Sequence, residues 1–161
     1  MNMKKYLFLL ITAAILMACA TLTPAERQEL AKKVNAALDD RHYTIDIRTM
    51  SPRRGPMKTV TSDWSLEVKG DTLVSYLPYI GRAFTVPYGG GMGLNFTAPI
   101  SEYHEKKGSK NARQITILVS NNEDTYTYII EVFDNGSSSI DVQARNREGI
   151  SYSGDMSFPI K

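Results

Sequence analysis

Arg82 is the only charged side chain between Thr72 and Ser101. The residues around it, YLPYIGRAFTVPYGGGMGLNF from Tyr76 to Phe96, are aromatic, glycine-rich and interrupted by Pro78 and Pro87. A guanidinium in such apolar company must find acceptors, because burying it unpaired is strongly unfavourable. One source is internal: a carboxylate such as Asp63, Glu67 or Asp155, or carbonyls at the glycine-rich bend. The other is the anionic group of a small amphipathic ligand, gripped bidentately while Tyr76, Tyr79, Phe84, Tyr88 and Phe96 contact its apolar part. Both stay open at this level. Arg53, Arg54 and Lys58 form a second basic group around Pro52 and Pro56. They read as a solvated loop or as a contact for lipid phosphates on a membrane surface.

Other chemistries find little footing. Gly89–Gly93 invites a phosphate loop, but that cradle needs a helix start, and Leu94 to Ala98 reads as strand. His42 and His104 are the two histidines, far apart in sequence, so the Tyr103–Lys107 stretch reads as a solvated loop and not a zinc site. Asp134 to Asp141 carries oxygen ligands, yet Arg145 stands where a calcium loop needs its glutamate. There is no Gly-x-Ser-x-Gly elbow. No metal and no cofactor is expected, and a hydrolase of unknown type ranks behind non-enzymatic roles.

Cys19 is the only cysteine. Lys4 and Lys5 precede an apolar run, Tyr6 to Met17, that is too short to span a bilayer as a helix. Leu16-Met17-Ala18-Cys19 resembles the lipobox of bacterial lipoproteins, with Met17 where a smaller residue is usual. Residues 1–18 then read as a lipoprotein signal peptide and residues 19–23 as a lipidated cysteine with a short tether. Residues 24–161 read as a single domain. Each buried methylene contributes about 0.8 kcal/mol, so two or three acyl chains would anchor the protein durably. Losing Lys4 and Lys5 brings the 19 basic residues level with the 17 acidic ones, which removes any bulk electrostatic case for nucleic acid. A lipidated Cys19 also leaves no thiol for a disulfide, a zinc site or a nucleophile. The expected setting is the cell envelope, on the outer membrane facing the periplasm, because no acidic residue directly follows Cys19.

The elements that would position these groups change period once. Thr23-Pro24-Ala25-Glu26 is a capping box with proline at the first helical position. Leu30, Val34, Ala37 and Leu38 follow at helical spacing, and Glu29 can pair with Lys33. The helix should end near Asp40. Beyond Arg41 the pattern alternates: Tyr43, Ile45, Ile47; Val60, Trp64, Leu66, Val68; Leu73 to Leu77; Arg82 to Val86; Ile115, Ile117, Val119; Tyr126 to Val132; Ile140, Val142, Ala144; Ile150 to Phe158. Asn135-Gly136 is the strongest hairpin signal, since both residues tolerate positive φ. Met50–Lys58 and Glu102–Asn111 read as the long polar loops. The expected class is α+β, mainly β. One N-terminal helix is followed by eight or nine antiparallel strands in a meander, strongly curled or closed as a barrel.

Tyr76-Leu77-Pro78-Tyr79-Ile80-Gly81-Arg82-Ala83-Phe84, with the glycine-rich turn and Phe96 after it, resembles the signature of DUF4251, a family of lipoproteins of Gram-negative bacteria. The resemblance runs from the helix near Glu26 to Tyr152-Ser153-Gly154. It implies a single secreted, lipid-anchored domain and brings no activity or catalytic residues with it.

The reading that emerges is a membrane-anchored binding or assembly module. Its partner would be a small amphipathic ligand or another envelope protein; the alternative is a structural envelope lipoprotein acting through protein contacts. The anchor has a direct test. Metabolic labelling with a palmitate analogue should mark the protein and fail to mark Cys19→Ala; labelling that survives the substitution would refute it.

Overall fold

The computed structural model describes residues 22–61, 63–85, 93–109 and 111–158. Helix α1, Pro24–Asp39, starts where its cap dictates: the Thr23 hydroxyl accepts from the Glu26 N–H, and Glu26 Oε2 accepts from the Thr23 N–H at 2.7 Å. The backbone bond, then the hydroxyl, hold the Glu26 carboxyl below its ordinary range. Asp40 closes the helix. Glu29 pairs with Lys32 at 2.9 Å, one residue nearer than expected.

Nine strands follow, all antiparallel to their neighbours: β1 (His42–Pro52), β2 (Lys58–Thr59), β3 (Ser65–Lys69), β4 (Thr72–Leu77), β5 (Leu94–Lys107), β6 (Ala112–Ser120), β7 (Thr125–Phe133), β8 (Ser137–Ala144) and β9 (Ile150–Ser157). They run as a meander, and β1 pairs with β9, so β1 and β3–β9 close an eight-stranded barrel. The short β2 lies against the far half of β1. At the closing seam Ile47 faces Gly154, and the register shifts between Ile47 and Thr49. A Cβ on residue 154 would stand 2.0 Å from the Asp46 carbonyl oxygen, so only glycine lets the two backbones meet there.

The inward side chains fill the lumen. Ile45, Leu66, Leu73, Ile115, Ile117, Tyr126, Tyr128 and Ile130 are fully buried. Period-two alternation puts them there, one face of each strand in and the other out. The buried Tyr128 hydroxyl donates to Ser75 Oγ at 3.0 Å, which donates to the Leu94 carbonyl at 2.6 Å, so these two hydroxyls are paired inside the barrel. Burial raises the Tyr128 phenol well above its usual value.

Each end of the barrel is closed by a different device. At the end that holds the β3–β4, β5–β6 and β7–β8 turns, α1 lays Val34 and Leu38 into the core. Arg113, at the start of β6, clamps it there. Its Nη2 pairs with Asp39 at 2.7 Å, its Nη1 donates to the Asn35 carbonyl at 3.2 Å, and its Nε meets Glu105. The other end is described below.

Five expectations change, the first being the Arg82–Val86 strand: its described residues 82–85 make only an isolated bridge, Ala83 to Arg147. Glu102–Lys107 is strand, not loop: its backbone pairs with Arg113–Leu118 opposite the buried Ile115 and Ile117, although its own side chains, Tyr103 apart, are polar. Met50–Pro52 belongs to β1, paired with Ile150–Tyr152 of β9, with Met50 and Pro52 turned into the barrel. Val60 and Trp64 pack on the core but lie outside β3, which begins at Ser65. In the β7–β8 turn only Gly136 takes positive φ, at 83°, and Asn135 instead accepts the Ser137 N–H with its side chain.

Gly154→Ala should lower stability by at least about 2 kcal/mol through overpacking at the seam. The shift in urea midpoint measures it. An unchanged midpoint would mean that β1 and β9 do not approach as described.

Candidate functional site

Three connections converge at the barrel end away from α1: residues 78–93 between β4 and β5, Asn121–Asp124 between β6 and β7, and Arg145–Gly149 between β8 and β9. The described part of the first, residues 78–85, lies across the mouth as a strap. Pro78 stops β4, since proline cannot donate to the ladder. The Tyr152 hydroxyl donates to the Pro78 carbonyl at 2.7 Å. Tyr79 folds back over Gly81, where a Cβ would lie 2.4 Å from the phenol oxygen, and donates to the Glu148 carbonyl at 2.9 Å. Arg82 exchanges backbone contacts with Glu148: its N–H reaches Glu148 Oε2 at 3.2 Å, and its carbonyl accepts the Glu148 N–H at 2.9 Å. The Phe84 N–H then donates to the Asn146 carbonyl at 2.7 Å.

Arg147 is the pin. Its side chain is 6 % exposed and its Nη1 donates to the Gly93 carbonyl at 3.1 Å, where the strap returns to β5. Nη2 reaches Glu123 Oε2 at 3.3 Å, and Nε stands 3.5 Å from Asp124 Oδ2, near enough for charge but misaligned for a hydrogen bond. The rings of Tyr79 and Tyr126 flank the guanidinium at 5.5 and 5.6 Å. Burial raises both phenols, and Arg147 partly opposes the rise. The fully buried Asp124 carboxylate also accepts backbone N–H groups of Thr125, Arg145 and Asn146 at 2.8–3.1 Å, which fixes the turn that carries Arg147.

Against this frame the site residues scatter. Arg82 is exposed, and among the described residues its guanidinium makes no hydrogen bond or ion pair. Asp155 pairs with Arg48 at 2.6 Å and Glu67 with Lys69 at 2.9 Å, so neither serves Arg82. The expectation of a buried Arg82 fails because the strap crosses the outside of the mouth and turns this side chain to water. The glycine-bend carbonyl does take up a guanidinium, but it is that of Arg147. Phe96 points inward and stacks on Tyr126 at 4.9 Å, whereas Tyr76 points outward and stacks on Trp64 at 4.4 Å. These aromatics therefore do not enclose one ligand site. Tyr88 and Cys19 lie outside the described residues. Lys58 is exposed on β2.

Two groups that sequence kept apart do meet. Arg53 and Arg54, just past the end of β1, and Phe84 on the strap line one groove of ≈ 500 Å³, with Asp141 and Gln143 of β8 and with Arg147 and Glu148 of the following turn. Arg54 Nε lies 3.1 Å from Glu148 Oε1. Phe84 is 67 % exposed. Among the described residues no cluster of histidine, cysteine or carboxylate side chains could hold a metal ion. No described helix is long and apolar enough to cross a membrane.

The sequence profile of DUF4251, a domain of unknown function, matches residues 25–156. The chain belongs to the DUF4251 family. A DUF4251 family protein from Bacteroides eggerthii DSM 20697, known from a crystal structure, superposes with a TM-score of 0.59 at 14 % identity. The match covers 79 % of this chain and 86 % of that one, and at this identity it shows a shared fold. No curated protein matches the chain. In this DUF4251 domain the Tyr76–Phe84 signature spans the end of β4 and the start of the strap, and Tyr152 and Gly154 are one of the strap's fastenings and the seam glycine.

Arg147→Met should cost about 3 kcal/mol, since it strands buried Asp124, and should speed amide exchange at Phe84. Arg82→Met should stay within about 0.5 kcal/mol of the parent. Urea titration and hydrogen exchange check both; the reverse ranking would return the structural role to Arg82.

Proposed function

We propose that the protein is a non-enzymatic lipoprotein of the cell envelope, anchored through Cys19 in the outer membrane, that docks a partner in the periplasm with the strap end of its barrel. One observation carries the reading. The lumen is packed with side chains, while exposed apolar groups gather at the strap end. Among the described residues, the large apolar side chains left exposed are Leu22, beside the tether, and Met57, Tyr76, Ile80 and Phe84, all near that end. Arg53, Arg54 and Arg82 stand exposed among them. Aromatic, methionine and arginine side chains together are the composition of protein interfaces. A filled lumen supports docking over carriage of a ligand inside the barrel.

Orientation supports it too. The tether to Cys19 is short, and α1 sits at the opposite end from the strap, about 25 Å away along the strands. An anchored barrel standing on its helix end would present Phe84, Arg53 and Arg54 to the periplasm, which favours a partner over lipid phosphates for these arginines. The two carboxylates of the groove are occupied structurally: Glu148 holds Arg54 and the strap, and Asp141 accepts from Ser151 and Gln143. That supports recognition in place of acid–base chemistry.

A photo-reactive phenylalanine analogue placed at position 84 in cells should give discrete crosslinked species, and the same probe at exposed Lys33 on α1 should give none. Crosslinks from position 33 alone, or from neither position, would refute docking through the strap end.

A further inference from the structure

The groove beside Phe84 has an uneven inventory of open hydrogen-bonding positions. Arg53 makes no hydrogen bond or ion pair among the described residues, so all of its donors are open. Arg54 Nε lies 3.1 Å from Glu148 Oε1 as an ion pair, and its Nη1 and Nη2 groups have no partner among the described residues. Both oxygens of Glu148 are used, one by Arg54 and one by the Arg82 N–H. Asp141 Oδ1 accepts the Ser151 hydroxyl at 2.9 Å, and Oδ2 accepts the Gln143 amide at 3.0 Å. A carboxylate has about four lone-pair sites, so Asp141 keeps room for further donors.

An occupant must therefore offer acceptors to the arginines, donors to Asp141 and an apolar surface to Phe84. Charge narrows it further. Arg54 is paired with Glu148, and Arg147 with Glu123 and Asp124, which among the described residues leaves Arg53 as the lining guanidinium without an acid. Arg53 and Asp141 are then one cation and one carboxylate without an ion-pair partner, which suits an occupant that brings one anion for Arg53 and neutral donors for Asp141. Asp141 sits across the groove as an unpaired carboxylate and would repel a phosphate dianion or a polyanion. A fatty acid satisfies the arginines and Phe84 but brings no donor for Asp141. A polypeptide brings all three: a side-chain carboxylate, backbone N–H groups and a neighbouring apolar side chain.

We infer that this groove binds a short acidic segment of a partner protein, a glutamate or aspartate flanked by apolar residues. Its carboxylate is taken by Arg53 and the Nη groups of Arg54, and its backbone N–H by Asp141. This rests on the proposal that the strap end is the docking surface and names what that surface reads. The site is preorganised. Phe84 is held by its backbone bond to Asn146, Arg54 by Glu148, and Asp141 by two neighbours, so little ordering remains for the moment of binding. A volume of ≈ 500 Å³ accommodates a few residues of extended chain.

The probe is a fluorescent, amidated peptide of the order leucine-leucine-glutamate-leucine, titrated against the full-length protein in neutral detergent, with the glutamine counterpart as control. Glutamate should bind at least tenfold tighter than glutamine. Arg53→Gln and Phe84→Ala, both exposed and outside the core, should each weaken the glutamate peptide about tenfold at unchanged circular dichroism. Equal affinity for the two peptides, no saturable binding at millimolar peptide, or an Arg53-dependent attachment to phosphatidylglycerol vesicles that the peptide does not displace would each overturn the inference. If crosslinks still form from position 84 while the peptides are not distinguished, docking stands and the acidic-segment reading falls.

Discussion

Closure of β1 on β9 is the constraint on which the rest of the molecule depends. A meander left open would expose two long edges, each a row of unpaired N–H and C=O groups open to other chains. Pairing Thr44–Pro52 with Ile150–Ser157 removes both, at a seam where Gly154 must pass beneath the Asp46 carbonyl. Closure also makes an inside, and the alternating side chains of eight strands converge there until no lumen is left. A tube of this kind has only two places left to differentiate, its ends.

The ends divide the labour. At one, an amphipathic helix covers the core with Val34 and Leu38 and is locked by a single arginine that reaches Asp39, Asn35 and Glu105. At the other, the described residues hold no helix, and residues 78–85 lie over the mouth as a strap. An extended segment has no internal ladder, so its backbone groups need partners elsewhere, and the β8–β9 turn supplies most of them. The rigidity of that turn comes from Asp124, a buried carboxylate surrounded by backbone donors. Fastened this way, the strap can leave Phe84 and Ile80 in water without being free to hide them.

Much of this was legible in the linear chain. Thr23 and Glu26 declare a capping box by identity and spacing alone, and the structure contains it. The apolar alternation of Ile115–Val119 and Tyr126–Val132 specifies strands with one buried face. The signature around Pro78 and Gly81 announces a place where the sheet stops. Less was legible where both faces of a strand are wet. Glu102–Lys107 shows no apolar alternation because Tyr103 is its one large apolar side chain, and its pairing with Arg113–Leu118 is a matter of backbone bonds that leave no compositional trace.

Arg82 and Arg147 mark the boundary between the two kinds of information. Surroundings in sequence made Arg82 look buried; surroundings in space make it exposed. Arg147, in a short polar turn next to a glutamate, carries no local sign of burial, because Gly93, Glu123, Tyr79 and Tyr126 come to it from segments distant in sequence. By itself the amino-acid order determined the helix and its cap, the antiparallel class, the turns and the family, since these follow from neighbours along the chain. Only the tertiary structure decided which arginine is buried, that the barrel is full, and that Arg53, Arg54 and Phe84 share a groove, since those depend on how the closed sheet brings remote segments to one rim.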